Sequence, residues 1–431
     1  MRERSTTLGR LLGMAALAGT LLLSACGPEA TATVPAPTPT TAQAAAPTAT
    51  IAMAASTATT AMMGTTPTTA MMGTTPTAAM TGSTPGAPSA GVTPSVTSIF
   101  SGPAEPGTLT GAGSTFVNPL MSKWAKEYNT LNPQVKINYQ SIGSGGGRQQ
   151  FIAKTVDFGA SDAPMTDAQL TQAGGAAAVL HIPLAMGSVV IAYNLPDQTG
   201  AKLAFSSDTL SGIFLGTITN WNDPKIAADN PGVTLADKPV VVIHRSEGSG
   251  TTDIFTDYLS KVNPEWKSKV GRGTSVQWPI GIGGQGNEGV ANAVKNTVGS
   301  IGYVELAYAK QNKISYGKVK NAAGTPIEPT AESTTAAATG LATSLPDDLR
   351  YSITNSPDPK AYPIAGTVWM LVYKTQPDAN KGKLVAQFVN WAVHDGQKYG
   401  TDLDYALLPA NLVQKIDAKI ATITCGGGSC K

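Results

Sequence analysis

Between Gly27 and Gly107 the sequence offers almost nothing from which a folded core could be made. These 81 residues hold 21 Thr, 19 Ala and 12 Pro, with Phe100 as the one aromatic and Glu29 and Glu105 as the only charges. Such a stretch buries too little apolar surface to offset the entropy of ordering it. A nine-residue unit, AMMGTTPTT at 61–69, returns as AMMGTTPTA at 70–78 and decays into AMTGSTPGA at 79–87. A repeat this short and proline-broken is not a solenoid unit. Residues 27–107 are therefore expected to form a disordered linker, with a Thr/Pro content that suits O-glycosylation and a reach of roughly 50 Å as a coil.

Ahead of the linker, Arg2, Arg4 and Arg10 precede a Leu/Ala/Gly run from Leu11 to Leu23 that ends in Ser24, Ala25 and Cys26. A basic start, a short apolar stretch and small residues at its end read as an export signal over 1–26. The LSAC string at 23–26 resembles the bacterial lipobox, in which the Cys becomes the acylated first residue of the mature protein. Cys26 would then hold the chain at a membrane surface. No other segment approaches eighteen uninterrupted apolar residues, so nothing else is expected to span a membrane.

The folded part is thus confined to 108–431. Its net charge is +2, like that of the whole chain, which argues against a broadly basic nucleic-acid surface. Alternating apolar residues at Val135, Ile137 and Tyr139 predict a strand, and Phe116, Leu120, Trp124 and Tyr128 recur at helical spacing. Further strands are expected at 187–193, 239–244, 300–304 and 366–373, and helices near 252–262, 287–298, 381–395 and 411–422. Strands alternating with helices predict an α/β architecture with largely parallel sheets in two domains. At the C-terminus, Cys425 and Cys430 flank a Gly-rich loop, and an exported chain could oxidise them to a small disulfide. With no His or further Cys nearby, a metal site is not expected there.

The chemistry gathers in four turns rich in Gly, Ser and Thr: TGAGSTF at 110–116, SIGSGGGR at 141–148, DFGASDA at 157–163 and HRSEGSGTT at 244–252. Three of them lead into helices, whose first backbone N–H groups have no intrahelical partner and suit an anion. The second turn is expected as a loop before a helix at Gln149 to Lys154. The fourth adds Arg245, and the third presents Asp162. Taken singly, each turn could be an ordinary helix cap, Asp162 could cap a helix near Thr166, and Arg245 could form a surface pair with Glu247. Together they suit a small tetrahedral oxyanion.

At these residues the chain closely resembles the phosphate-binding lipoprotein, or periplasmic receptor, of the high-affinity bacterial ABC phosphate importer. The matching strings are LTGAGSTF at 109–116, YQSIGSGGG at 139–147, TVDFGASDAP at 155–164, GSGT at 248–251, WPIG at 278–281, GSIGYVE at 299–305 and DLDYA at 402–406. The resemblance covers essentially all of 108–420 and none of the linker. It implies a two-lobed solute-binding-protein fold of class II, periplasmic-binding-protein-like, with lobe one at 108–186 plus 364–420 and lobe two at 187–363. Hinge strands would lie near Met186–Val189 and Pro363–Gly366, and 421–431 would be a tail.

Carried over residue by residue, the resemblance implies a phosphate cage. Thr115 would give hydroxyl and amide, Phe116 an amide, and Ser144 hydroxyl and amide. Arg245 would make paired charge-assisted bonds while Glu247 holds its guanidinium, and Ser249, Gly250 and Thr251 would complete the shell. Asp162 would accept the proton that phosphate carries at neutral pH and sulfate lacks. Ser246 departs from the family, which often has a small apolar residue there, and so touches the fine geometry of the ion pair. The implied partners are inorganic phosphate, the permease subunits of an ABC importer and the membrane surface, for a monomer with no cofactor and no nucleic acid. Rival readings are a phosphate-monoester hydrolase and an adhesive surface lipoprotein. The hydrolase would need a nucleophile with its base, or metal ions. The only histidines are His181, His244 and His394, with no HExxH pair, and GASDA at 159–163 lacks the closing Gly of a nucleophile elbow.

Overall fold

The computed structural model describes Phe100 and residues 104–197, 202–341 and 345–430. The signal segment, Cys26 and most of the linker lie outside the described residues. One mixed sheet organises the rest. Its main strands are β1 (Gly107–Gly113), β2 (Val135–Ser141), β3 (Phe158–Ser161), β4 (Val179–Tyr193), β5 (Val241–Arg245), β6 (Ile282–Gly284), β7 (Ser300–Glu305) and β8 (Ala365–Tyr373). Their order across the sheet is β2-β1-β3-β8-β4-β7-β5-β6, with Ser315–Tyr316 added beside β4.

Strand β4 is the axis of this arrangement. Val179 to Ser188 pair antiparallel with β8, whereas Val189 to Tyr193 pair antiparallel with β7. The sheet therefore has two wings. Wing one comprises β1, β2, β3, β8 and the first part of β4; wing two comprises the rest of β4 with β5, β6 and β7. All fifteen residues of β4 are buried, so it reads as a nearly continuous apolar run rather than an alternating one.

The sheets are not largely parallel. β1 runs parallel to β2 and β3, and β5 to β6 and β7, but β3–β8, β8–β4 and β4–β7 are antiparallel. Chain re-entry causes this: β8 returns into the middle of wing one after the whole of wing two has been traced. β4 also begins at Val179 rather than 187. Pro183 lies inside it, where a residue without an N–H argues against a central strand. The register shifts there, Val368 facing Ala185 and Trp369 facing Pro183, so the ladder steps past the proline at a bulge.

The sheet is flanked by α1 (Asn118–Leu131), α2 (Gly143–Ile152), α3 (Gly250–Val262), α4 (Gly286–Asn296), α5 (Ala379–Val393) and α6 (Ala410–Ile420). On α1, Leu120, Met121, Trp124 and Tyr128 are buried, and Tyr128 packs against Phe388 and Trp391 of α5. The fold begins before residue 108. Phe100 packs against the core, Ala104 is buried, and the Glu105 N–H donates to Gln387 Oε1 at 2.9 Å. One aromatic at the end of a core-poor stretch is enough to dock it. At the other end, Thr375–Gln376, Thr424–Cys425 and Gly428–Ser429 form a small sheet, closed by a Cys425–Cys430 disulfide with Cα atoms 5.1 Å apart. No helix among the described residues is long and apolar enough to cross a membrane.

Candidate functional site

The Gly/Ser/Thr turns meet where the two wings face each other. From wing one come Thr115 and Phe116 just ahead of α1, Ser144 in the first turn of α2, and Asp162 just past β3. From wing two come Arg245 at the end of β5, Glu247, and Ser249, Gly250 and Thr251 at the start of α3. Neither α1 nor α2 has a side-chain cap, so their leading N–H groups are left for other acceptors. The second turn is not a loop: α2 starts at Gly143, inside the glycine run. Glycine disfavours helix on its own, but a Cβ on Gly147 would sit 2.4 Å from Gly113 Cα. Only a bare helix face can lie that close to β1.

Asp162 is the centre of the cluster and 2 % exposed. The Ser144 hydroxyl donates to its Oδ1 at 2.7 Å and the Thr251 hydroxyl to its Oδ2 at 3.0 Å, so groups from both wings meet on one carboxylate. Burial pushes the Asp162 carboxyl above its ordinary range, against hydrogen bonds from Ser114, Ser144 and Thr251 and the Arg245 charge, which favour ionisation. A Cβ on Gly250 would lie 2.4 Å from Asp162 Cγ. Glycine is therefore required where α3 presses on this carboxylate. Asp162 is not a helix cap; the Thr166 side chain caps the Asp167–Gln172 helix.

Arg245 is 3 % exposed and no surface residue. Its Nε donates to Glu247 Oε1 at 2.9 Å, Nη2 donates to the same oxygen, and Nη1 donates to Thr251 Oγ1 at 3.2 Å. Ser249 is fully buried, and its Oγ caps α3 by accepting from the Thr252 N–H at 3.0 Å. The wings also touch through Gly145 N–H donating to Gly248 O at 2.8 Å. Phe116 is buried, and its carbonyl accepts from Tyr405 Oη at 2.6 Å.

Several residues here escaped the sequence reading. Arg148 is 4 % exposed and donates to Thr274 Oγ1 at 3.0 Å across the cleft. Burial lowers its pKa, opposed by Asp253 and Asp162. Asn287, in the first turn of α4, is completely buried and bonded to Thr115 and Thr251. Glu305 ends β7 fully buried, accepting the Ala307 N–H at 2.9 Å; burial drives its carboxyl well above the usual range. Tyr308 Oη donates to the Thr115 carbonyl at 2.6 Å. Glu305 and Tyr405 did lie within matched strings, but only as sequence; Asn287 lay outside all of them.

The histidines are occupied elsewhere. The His244 ring lies 4.8 Å from that of Trp278, in a stacked arrangement, and its Nδ1 is 3.0 Å from the Arg245 carbonyl. His181 Nε2 accepts the Met165 N–H, and burial brings its pKa down to about 4. His394 pairs with Asp417 at 2.8 Å. Among the described residues, no group of three or more His, Cys, Asp and Glu side chains could hold a metal ion.

A family model described as a PBP superfamily domain matches residues 41–395. The "Phosphate-binding protein PstS" of Xylella fastidiosa is 49 % identical over 310 residues, covering 72 % of this chain and 84 % of the relative. The chain belongs to the PstS phosphate-binding protein family. The PstS of Pasteurella multocida is 45 % identical over 325 residues, 75 % of this chain and 93 % of its own. The crystal structure of a phosphate-binding protein from Stenotrophomonas maltophilia shares the fold with a TM-score of 0.57, at 21 % identity, over 72 % of this chain and 93 % of the other. Membership of the PstS family makes the cleft between the wings the place to look for a ligand.

Proposed function

We propose that this chain is an extracytoplasmic receptor that binds inorganic phosphate in the interwing cleft and hands it to the permease subunits of an ABC importer. It binds and releases, with no catalytic step. The observation that carries this reading is Asp162, a buried acceptor surrounded by donors from both wings and set beside a buried Arg245. Thr115, Phe116, Ser144, Arg245, Ser249, Gly250 and Thr251 donate to the phosphate oxygens, and Glu247 holds Arg245 in place. Asp162 accepts the phosphate O–H. A fully ionised sulfate offers no proton and meets this carboxylate as a bare repulsion.

The lobes are 108–186 with 364–420, and 187–363, turning on the crossing strands near Met186–Val189 and Pro363–Gly366. The partner exchange of β4 at Ser188/Val189 supports that axis. Cys26 carries the lipid, as the 23–26 string supports, and the 27–107 linker, up to its docked end at Phe100, spaces a monomeric receptor from the membrane. Calorimetry of the whole chain, stripped of bound anion, against phosphate, sulfate, molybdate and a phosphonate tests the binding reading. Phosphate alone should bind tightly; tighter binding of another anion, or turnover of a chromogenic phosphoester, overturns it. Cys26→Ala should release the protein from washed membranes with phosphate binding intact, and its retention there would show another anchor.

A further inference from the structure

Asn287 touches both halves of the cage, and its amide orientation is fixed by an unambiguous partner. The Glu305 backbone N–H can only donate, and it donates to the Asn287 side chain at 2.9 Å, so that atom is Oδ1. The other atom is therefore Nδ2, with two protons to give. It lies 2.8 Å from Thr115 Oγ1, on wing one, and 3.2 Å from Thr251 Oγ1, on wing two. Both hydroxyls must accept from it.

The remaining lone pairs are also taken. Thr115 Oγ1 accepts the Asn287 backbone N–H at 3.1 Å, and Thr251 Oγ1 accepts Arg245 Nη1 at 3.2 Å. A hydroxyl has two acceptor sites and one proton. With both sites filled, each can act toward anything else only as a donor. Thr251 already does so toward Asp162. A second observation supports the same design: the residue preceding α4, Gln285, provides no side-chain cap. The leading N–H groups of α4 go instead to cage residues, Gly286 to Glu247 Oε1 at 3.1 Å and Asn287 to Thr115.

We propose that Asn287 is a positioning residue that forces the Thr115 and Thr251 hydroxyls to donate, thereby directing the ligand's own proton to Asp162 and latching the closed cleft. The proposal rests on the reading of the cleft as a phosphate site. Asn287 makes no ligand contact itself; it acts through the two threonines. Replacing Nδ2 by an acceptor oxygen, as in Asn287→Asp, lets the Thr115 hydroxyl turn its proton toward the new carboxylate and away from the anion.

The test is phosphate titration by calorimetry of the whole chain and four variants, with thermal unfolding of each as the control for folding. Asn287→Ala keeps the backbone donor and should weaken phosphate binding about tenfold; Asn287→Asp should weaken it about a hundredfold. The discriminating measurement is a double-mutant cycle with Thr115→Val. In that background the cost of Asn287→Ala should shrink to about threefold, the share that acts through Thr251. A cost equal in both backgrounds would mean that Asn287 is only part of the scaffold, and no cost in either would remove it from the site; either result overturns the proposal. Should Asn287→Asp fail to fold, the alanine cycle decides alone. If the unaltered protein does not bind phosphate, the reading of the cleft fails instead, and the two failures are told apart by that first titration.

Discussion

Wing one approaches the cleft with the hydroxyls and helix-start amides of Thr115, Phe116 and Ser144, the Asp162 carboxylate and Arg148, whereas wing two brings the Ser249–Thr251 helix start and Arg245, whose guanidinium is already paired with Glu247. Neither set suffices for a protonated oxyanion. In the proposed cage, wing one alone would set Asp162 against the ligand without the Thr251 hydroxyl and Arg245 charge that support its ionised form, and wing two alone would hold no acceptor for the ligand's proton. The carboxylate that reads the ligand's proton and the Arg245 guanidinium aimed at its charge thus come, in this cage, from different wings, and Thr251 and Asn287 link the two.

The sharpest way to break this comparison is to remove the charge. Arg245→Gln should lower phosphate affinity at least a thousandfold, since hydrogen bonds to charged groups contribute about 1.5–3 kcal/mol each, while Ser144→Ala should cost only about tenfold. Equal losses in titrations of the two variants would mean that the wings do not divide the work. Next comes discrimination. In the proposed cage, Asp162→Asn relieves repulsion for sulfate and phosphate alike but removes the charged acceptor that only phosphate would use. The phosphate-to-sulfate preference should fall at least tenfold, about 1.4 kcal/mol; an unchanged ratio at fixed ionic strength would assign selectivity elsewhere.

A smaller effect is expected from Glu305, which sits behind the cage in wing two. Its carboxyl is held well above the ordinary range by burial. Between the unfolded value and that raised one, the folded protein holds the proton and the unfolded chain does not. This contribution to stability is thus present at the acid end of the window and lost as pH rises through the folded value. Denaturant unfolding from about pH 4.5 upward should show stability falling less with pH in Glu305→Gln than in the parent chain. Parallel slopes would mean that this group is ionised in both states. The mildest change lies at the edge of wing one. Deleting 27–98 should leave the unfolding temperature unchanged, whereas deleting 27–107, with Phe100 and Ala104, should lower it by a few degrees. Identical melting curves would place the start of the fold at residue 108.

How far the sequence could be read depended on how far apart the cooperating residues stand in it. Each turn is a contiguous string, so the four turns, with Asp162 and Arg245, could be picked out before their meeting place was known, whereas Thr115 and Ser144 came from the family resemblance. Buried strands with unbroken apolar runs, such as β8, were equally plain, and α3, α4, α5 and α6 begin within two residues of expectation. Asn287 gave no signal because its partners, Thr115 and Thr251, are 172 and 36 residues away. The first half of β4 was obscured by Pro183, which only a bulge in the pairing with β8 accommodates. The glycines at the start of α2 read locally as a loop, and the close approach of Gly147 to Gly113 and of Gly145 to Gly248 explains bare positions in a helix there. Local pattern reported the chemistry of each turn, and tertiary contact decided the rest.

The return of β8 into wing one also orders events during synthesis. β3 and β4 pair with β8, not with each other, so the sheet of wing one stays open in the middle until Ala365–Tyr373 has been made. The four main strands of wing two lie within 189–305, and the added Ser315–Tyr316 follows them, so all of wing two can pair before then. A chain emerging from its N-terminus can therefore close wing two, from the middle of the sequence, while β1 to β3 wait for β8. Pulse-labelled hydrogen exchange should protect Val241–Arg245 and Ser300–Glu305 before Phe158–Ser161. The wing that holds the first strands of the fold is expected to be the last to close.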